Sequence, residues 1–239
     1  MEMDNQSVIL AIETANRACS VALLSAEEVL FEEANFDPSH SNSALVGGYC
    51  QKALALAQKE GLTPVAVAVT AGPGSYTGLR IGASVAKGLA LGLSLPLIAI
   101  PTMQGLLFAS PLTETAPREA RFCVLQQASK DDVYTQTFER AGLPITSPQA
   151  VVPSADWLRA VQETNAAHPL YFVGDALAMM PQSIEPQYLC PVTELRAAHF
   201  RTPAWQKLRA NQTEDVAYWV PEYVKPYKVL ISKNKILNR

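Results

Sequence analysis

Every position from Val8 to Ile12 is apolar, and the run breaks at Glu13, Thr14, Ala15 and Asn16. Two further stretches of strand character, Cys19 to Leu24 and Val29 to Phe36, follow across polar turns. Short apolar runs closed by turn residues predict strands, here a three-stranded antiparallel meander. After Asp37 and Pro38, Ser39 or Ser41 can cap a helix that runs to about Lys59, with Leu45, Tyr49, Lys52 and Leu56 on related turns and Gly61 as its stop. Val65 to Val69 reads as a buried strand that opens into a glycine-rich loop. Tyr76 to Leu93 then predicts a long helix, and Leu97 to Ile100 a strand closed by Pro101.

Three antiparallel strands followed by alternating helix and parallel strand is the layout of a ribonuclease-H-like or actin-like half, an α/β arrangement of a mixed sheet with helices on its faces. A second half is expected from the hairpin-like Arg121 to Leu125 and Val133 to Phe138, a helix from Ser154 to Gln162, and a strand from Leu170 to Val173 that ends in Gly174 and Asp175. It reads as reduced. Pro, Thr and Ser accumulate between Ser110 and Pro117, which places the halves at 1–110 and 111–224, with a basic tail at 225–239.

The chain has 239 residues, 49% of them apolar, enough for a well-buried core. A formal net charge of -3 excludes wholesale electrostatic binding of nucleic acid, so any RNA contact is local or made through a partner. Cys19, Cys50, Cys123 and Cys190 lie far apart and form no CxxC pair, which argues for reduced thiols rather than a zinc knuckle or a redox pair. Met1 to Gln6 carries two acids and no base, unlike a secretion signal, and no run approaches the roughly 20 apolar residues of a membrane span. The expected location is the cytoplasm, with no membrane partner.

The stretch from Ala66 to Gly82 carries the most chemistry. Gly72 and Gly74 allow backbone conformations closed to other residues, Pro73 stiffens the turn, and Ser75 or Thr77 can cap a helix whose free amides favour an anion. Gly72, Gly74, Ser75, Tyr76 and Thr77 are therefore phosphate-loop candidates, although the loop lacks the lysine of a P-loop. Along the following helix Gly78, Gly82, Ala86 and Ala90 recur every four residues, a small-residue stripe that lets another helix approach, while Ile81, Val85 and Leu89 form an apolar stripe that could serve the sheet.

The segment from Val69 to Ala90, with its core Ala-Gly-Pro-Gly-Ser-Tyr-Thr-Gly-Leu-Arg-Ile-Gly, resembles the signature of the TsaB (YeaZ) family. Ile9 to Ala15, Cys19 to Leu23 and His40-Ser41 are similar to that family's opening, and Asp132-Val133-Tyr134, Val173-Gly174 and Pro221 to Val224 extend the likeness past residue 110. The resemblance implies an actin-like fold of two ribonuclease-H-like halves. It also implies a non-catalytic partner of the paralogue TsaD, which transfers threonylcarbamoyl to adenosine in tRNA. The implied partners are the TsaD-like paralogue, a TsaE-like ATPase through the complex, a second copy when the chain is alone, and tRNA only through the complex. The expected interface comprises Gly78, Gly82, Val85, Ala86, Leu89 and Ala90 with Leu45 and Tyr49.

Two further readings belong to the same resemblance. A metallopeptidase label attaches to related proteins, but the metal pair of the paralogue, two histidines one turn apart, meets only His40 here, followed by Ser41-Asn42-Ser43-Ala44, and there is no HExxH. An actin-like phosphotransferase would use an Asp after the first strand and another opening the second half. Glu13 with Thr14 and Gln127 occupy those places, which reads as a degenerate nucleotide site. No cofactor is expected, with room only for weak ATP or ADP binding at the interface of the complex. Lys130, Asp131 and Asp132 read as a solvated hairpin turn, and Lys225, Lys228, Lys233, Lys235 and Arg239 as a solvated basic end.

Overall fold

The computed structural model describes residues 5–16, 18–37, 42–181, 184–192 and 194–225. His40, Ser39, Ser41 and the tail beyond Lys225 lie outside these. The opening apolar run forms β1 (Ser7–Glu13), which is buried at every position because it lies at the centre of a sheet covered on both faces. It pairs antiparallel with β2 (Cys19–Leu24), and β2 pairs with the half-exposed edge strand β3 (Val29–Asn35). After α1 (Asn42–Lys59), strand β4 (Thr63–Gly72) runs parallel to β1. Then α2 (Tyr76–Gly92) returns the chain to β5 (Leu97–Pro101), giving the order β3-β2-β1-β4-β5.

Alternation along these strands divides the core. Val8, Leu10, Ile12, Val67 and Val69 lie in the cluster that includes α1 and α2, whereas Ile9, Ala11, Ala66, Ala68, Ile98 and Ile100 belong to the cluster on the opposite face. On α1 the fully buried positions are Val46, Cys50, Ala53 and Ala57, one residue along from the expected stripe. Leu45, Tyr49 and Leu56 are half-buried and Lys52 is exposed.

Two short helices, α3 (Thr102–Phe108) and α4 (Leu112–Thr115), lead to the second sheet. There β6 (Arg121–Gln127) pairs with β7 (Val133–Glu139), and β7 with β8 (Gln149–Val151). Next, α5 (Ala155–Thr164) is capped by the Ser154 hydroxyl, which accepts from the Trp157 amide at 3.1 Å. β9 (Leu170–Gly174) and β10 (Leu189–Pro191) complete the order β10-β9-β6-β7-β8. Read from β8 inward, this repeats the first sheet strand for strand. The expected reduction therefore lies elsewhere: the outer strands are three residues long, and two 3-10 turns, Leu177–Met179 and Pro186–Tyr188, stand where the first half has α2.

The residues expected to finish the second half instead cross back. A 3-10 turn at Ala197–Phe200 and α6 (Arg201–Arg209) dock on the first sheet, where the Ala197 amide donates to Ser20 Oγ at 2.8 Å and Trp205 Nε1 to the Leu24 carbonyl at 3.2 Å. Further on, the Glu214 amide donates to the Leu97 carbonyl at 2.8 Å. The span 111–224 is thus not one contiguous unit, and its last thirty or so residues bind the two halves together. Burial raises the thiols of Cys19, Cys50 and Cys123, to about 11, 12 and 11, so these three cysteines behave as small apolar groups.

Candidate functional site

The strand ends that carry the expected chemistry meet between the halves. β1, β4, β6 and β9 all point their carboxyl ends at one cleft of about 400 Å³, lined by Ala15, Asn16, Gly74, Ser75, Gln126, Gln127, Ala128, Ser129, Tyr134 and Asp175. This is where open α/β sheets gather ligands. Of the phosphate-loop candidates, Gly74 and Ser75 line it, while Gly72, Tyr76 and Thr77 do not.

The loop is shaped by close contacts. Gly72 has a φ of 107°, a left-handed conformation, and a Cβ there would strike the Glu222 carbonyl. The Ser75 amide donates to the Ala15 carbonyl at 2.8 Å, and the Ser75 hydroxyl accepts from the Gly78 amide at 3.2 Å, capping α2. The Tyr76 ring meets Tyr223 at 5.0 Å and the Arg80 guanidinium at 4.1 Å. One amide of the helix start, that of Gly78, is thus taken by the chain's own Ser75.

Glu13 and Thr14 do not line the cleft. Glu13 is wholly buried, its Oε1 accepts the Ala15 and Asn16 amides at 2.7 and 2.8 Å, and its other oxygen meets the Thr70 hydroxyl. Burial outweighs these bonds and pushes its carboxyl up to about 7. Thr14 Oγ1 donates to the Gly78 carbonyl at 2.8 Å. Both residues fasten the end of β1 to its neighbours. Gln127 does line the cleft, and its amide donates to Asp175 Oδ1 at 2.7 Å. Gln126, 1% exposed, donates to Asn16 Oδ1 and the Pro73 carbonyl at 3.3 Å each, and its own Oε1 has no hydrogen-bond partner.

A magnesium-nucleotide group fits these residues poorly. The lining offers amides, hydroxyls and the single carboxylate of Asp175, which already holds a backbone amide, and no lysine or arginine. Asn16, Gln126, Ser129, Tyr134 and Asp175 were not singled out from the sequence as site residues. Only Asp175 carried a usable signal there, as the acid that follows a glycine at the end of a strand.

The partner surface needs a correction. Gly78, Gly82, Ala86 and Ala90 are buried and face the chain's own sheet, where a Cβ on Gly78 would strike the Thr14 carbonyl and one on Gly82 would strike Thr14 Oγ1. The small-residue stripe lets α2 lie close on β1 and β4. Ile81, Val85 and Leu89 instead sit half-buried at the margin of that core beside Leu45 and Tyr49 of α1. The outward face of the touching pair α1 and α2 carries Gly47, Gly48, Ser84 and Gly88, all exposed, and a Cβ added at any of these three glycines meets nothing within 4 Å.

The doubled five-stranded sheet, with its cleft at the facing strand ends, defines an α/β protein of the actin-like class. YeaZ from Pseudomonas aeruginosa has the same fold, with a TM-score of 0.72 at 23% identity over 91% of this chain and 99% of that one. The family model described as TsaD, tRNA N6-adenosine threonylcarbamoyltransferase, matches residues 39–237. The chain belongs to that family, as a TsaB (YeaZ) member. It is 29% identical over 180 residues to the tRNA threonylcarbamoyladenosine biosynthesis protein TsaB of Bacillus subtilis (strain 168), covering 74% of this chain and 75% of that protein. It is 40% identical over 102 residues to TsaB of Escherichia coli (strain K12), covering 40% of each.

Proposed function

We propose that this protein is the partner subunit of a TsaD-like paralogue in the biosynthesis of threonylcarbamoyladenosine in tRNA, and that it contributes an interface rather than a reacting group. The observation that carries this reading is the family match over residues 39–237, joined to a TsaB relative that spans 74% of the chain. The outward face of α1 and α2 supports it, because exposed glycines and a serine beside half-buried Leu45, Tyr49, Ile81, Val85 and Leu89 suit close docking of a partner helix. The same face serves self-association when the paralogue is missing. A TsaE-like ATPase and tRNA join through the complex. Weak ATP or ADP binding at the interface of the complex depends on groups from the paralogue, since this cleft brings one carboxylate and no cation. The phosphotransferase reading gains nothing from such a lining. For a metallopeptidase, the described residues offer no group of three His, Cys, Asp or Glu side chains that could hold a metal ion. No helix among them is long and apolar enough to cross a membrane.

The test is reconstitution of threonylcarbamoyl transfer to tRNA from purified TsaD-like paralogue, TsaE-like ATPase and adenylate donor, with and without this chain. Transfer that rises only when the chain is added supports the reading. Equal transfer without it overturns the partner role.

A further inference from the structure

The end of the second sheet remote from the cleft holds a larger cavity, about 530 Å³, that the proposed function does not use. β6 begins there at Arg121 and reaches the cleft at Gln127, so the two sites stand about 20 Å apart, one strand length. Three guanidinium groups, Arg118, Arg121 and Arg140, line it together with His168. Among the described residues none of the three arginines is paired with a carboxylate, even though Glu119 and Glu139 stand on the same wall. The lining still sets three guanidinium groups against two carboxylates, an excess of positive charge in a chain whose net charge is -3.

The walls are held in place. Arg140 NH1 donates to the carbonyls of Thr113, Glu114 and Ala116 at 3.3, 3.4 and 3.4 Å, which ties the hairpin after β7 to the linker around α4. Arg121 NH1 donates to Asn165 Oδ1 at 3.0 Å, and His168 Nδ1 lies 3.0 Å from the Glu119 carbonyl. Arg121 and Arg140 are thus each oriented through one terminal nitrogen, and the rest of each planar fork makes no further hydrogen bond among the described residues. Arg118 is exposed and makes none at all. Fixed guanidinium forks with free donors and no carboxylate partner suit the oxygens of a tetrahedral oxyanion.

We propose that this cavity is a phosphate-binding site, taking the phosphate group either of a small phosphorylated ligand or of an RNA backbone. It is independent of the cleft and of the α1 and α2 face. The experiment titrates inorganic phosphate, then pyrophosphate, into the full chain by calorimetry, for wild type, Arg118→Glu and Arg121→Gln, with thermal melts to confirm folding. Arg118→Glu changes an exposed side chain that holds nothing, so it reports on the site without disturbing the fold. Saturable binding, weakened about tenfold or more by Arg118→Glu in a protein that melts like wild type, is the expected result, since about 1.4 kcal/mol in lost charge-assisted contacts is a factor of ten. An RNA hairpin that displaces phosphate, with a salt slope that falls in Arg118→Glu, assigns the group to a backbone, and failure to displace it assigns a small ligand. No saturable binding, or binding unchanged in both variants, overturns the proposal. Because the readout needs no paralogue, it stands or falls apart from the partner role.

Discussion

At the scale of single residues, Glu13 is the most instructive position. The sequence places an acid where actin-like enzymes use one, yet the carboxyl is sealed inside, bonded to two backbone amides and a hydroxyl. Its value of about 7 lies above the ordinary 4.5, so the folded state binds the extra proton between those limits and stability falls as pH rises from about 4.5 to 7. The loss is of order 3 kcal/mol from this group, at about 1.4 kcal/mol per unit. Glu13→Gln keeps an oxygen for the two amides and supplies a donor for Thr70. Urea melts from pH 5 to 8 should show a clear decline in wild type and a flatter profile in Glu13→Gln, while identical slopes would contradict the burial account. Gly82 is the companion case. A Cβ at this position would strike Thr14 Oγ1, so Gly82→Leu should destabilise the fold itself by about 1–3 kcal/mol in a denaturant melt, rather than act on a surface. The one-dimensional stripe of small residues told that something lies close to α2, and could not tell that it is the chain's own β1.

Among elements, the ones with a strong period were legible. β1, β2, β4, β5 and α2 fall within a few residues of their predicted bounds, since each is a long apolar run or an apolar stripe closed by glycine or proline. β8 and β10, three residues each, were not, because strands so short carry no alternation to read. α6 was missed for a different reason. Its sequence, Arg-Thr-Pro-Ala-Trp-Gln-Lys-Leu-Arg, is polar on most positions and is held by Trp205 and by neighbours far away in the chain. On α2, Gly88 is exposed with open space about it, so Gly88→Ala should raise stability by up to about 1 kcal/mol through helix propensity alone, measured by chemical denaturation, and leave pairing intact.

For the whole molecule, the two halves are joined by a strap after α6. The Glu222 amide donates to the Ala71 carbonyl at 2.7 Å on the first half, and Lys225 pairs with Asp132 and lies 5.7 Å from the Tyr134 ring on the second. Tyr223 between them rests on Tyr76. Removing these side chains with Tyr223→Ala and Lys225→Ala should speed amide exchange at Ser75, which bonds the Ala15 carbonyl and precedes the Tyr76 on which Tyr223 rests, while α5 exchanges as before. The cleft itself was half legible: Gly74 and Ser75 came from local sequence and Gln127 from the place that actin-like enzymes give a second acid, whereas Gln126 and Tyr134 are brought there by the pairing of β6 with β7, and Asp175, signalled only as an acid after a strand-ending glycine, by the pairing of β6 with β9.

The partner role itself is tested most directly by light scattering on size-exclusion chromatography, with this chain mixed with its TsaD-like paralogue as wild type, Gly88→Ala and Gly88→Trp. A bulky ring at Gly88 projects into open space from α2, so the monomer should melt like wild type. Wild type and Gly88→Ala should form a one-to-one heterodimer, and Gly88→Trp should leave separate subunits. A heterodimer that survives Gly88→Trp would move the interface off the α1 and α2 face, and no heterodimer with wild type would contradict the partner role.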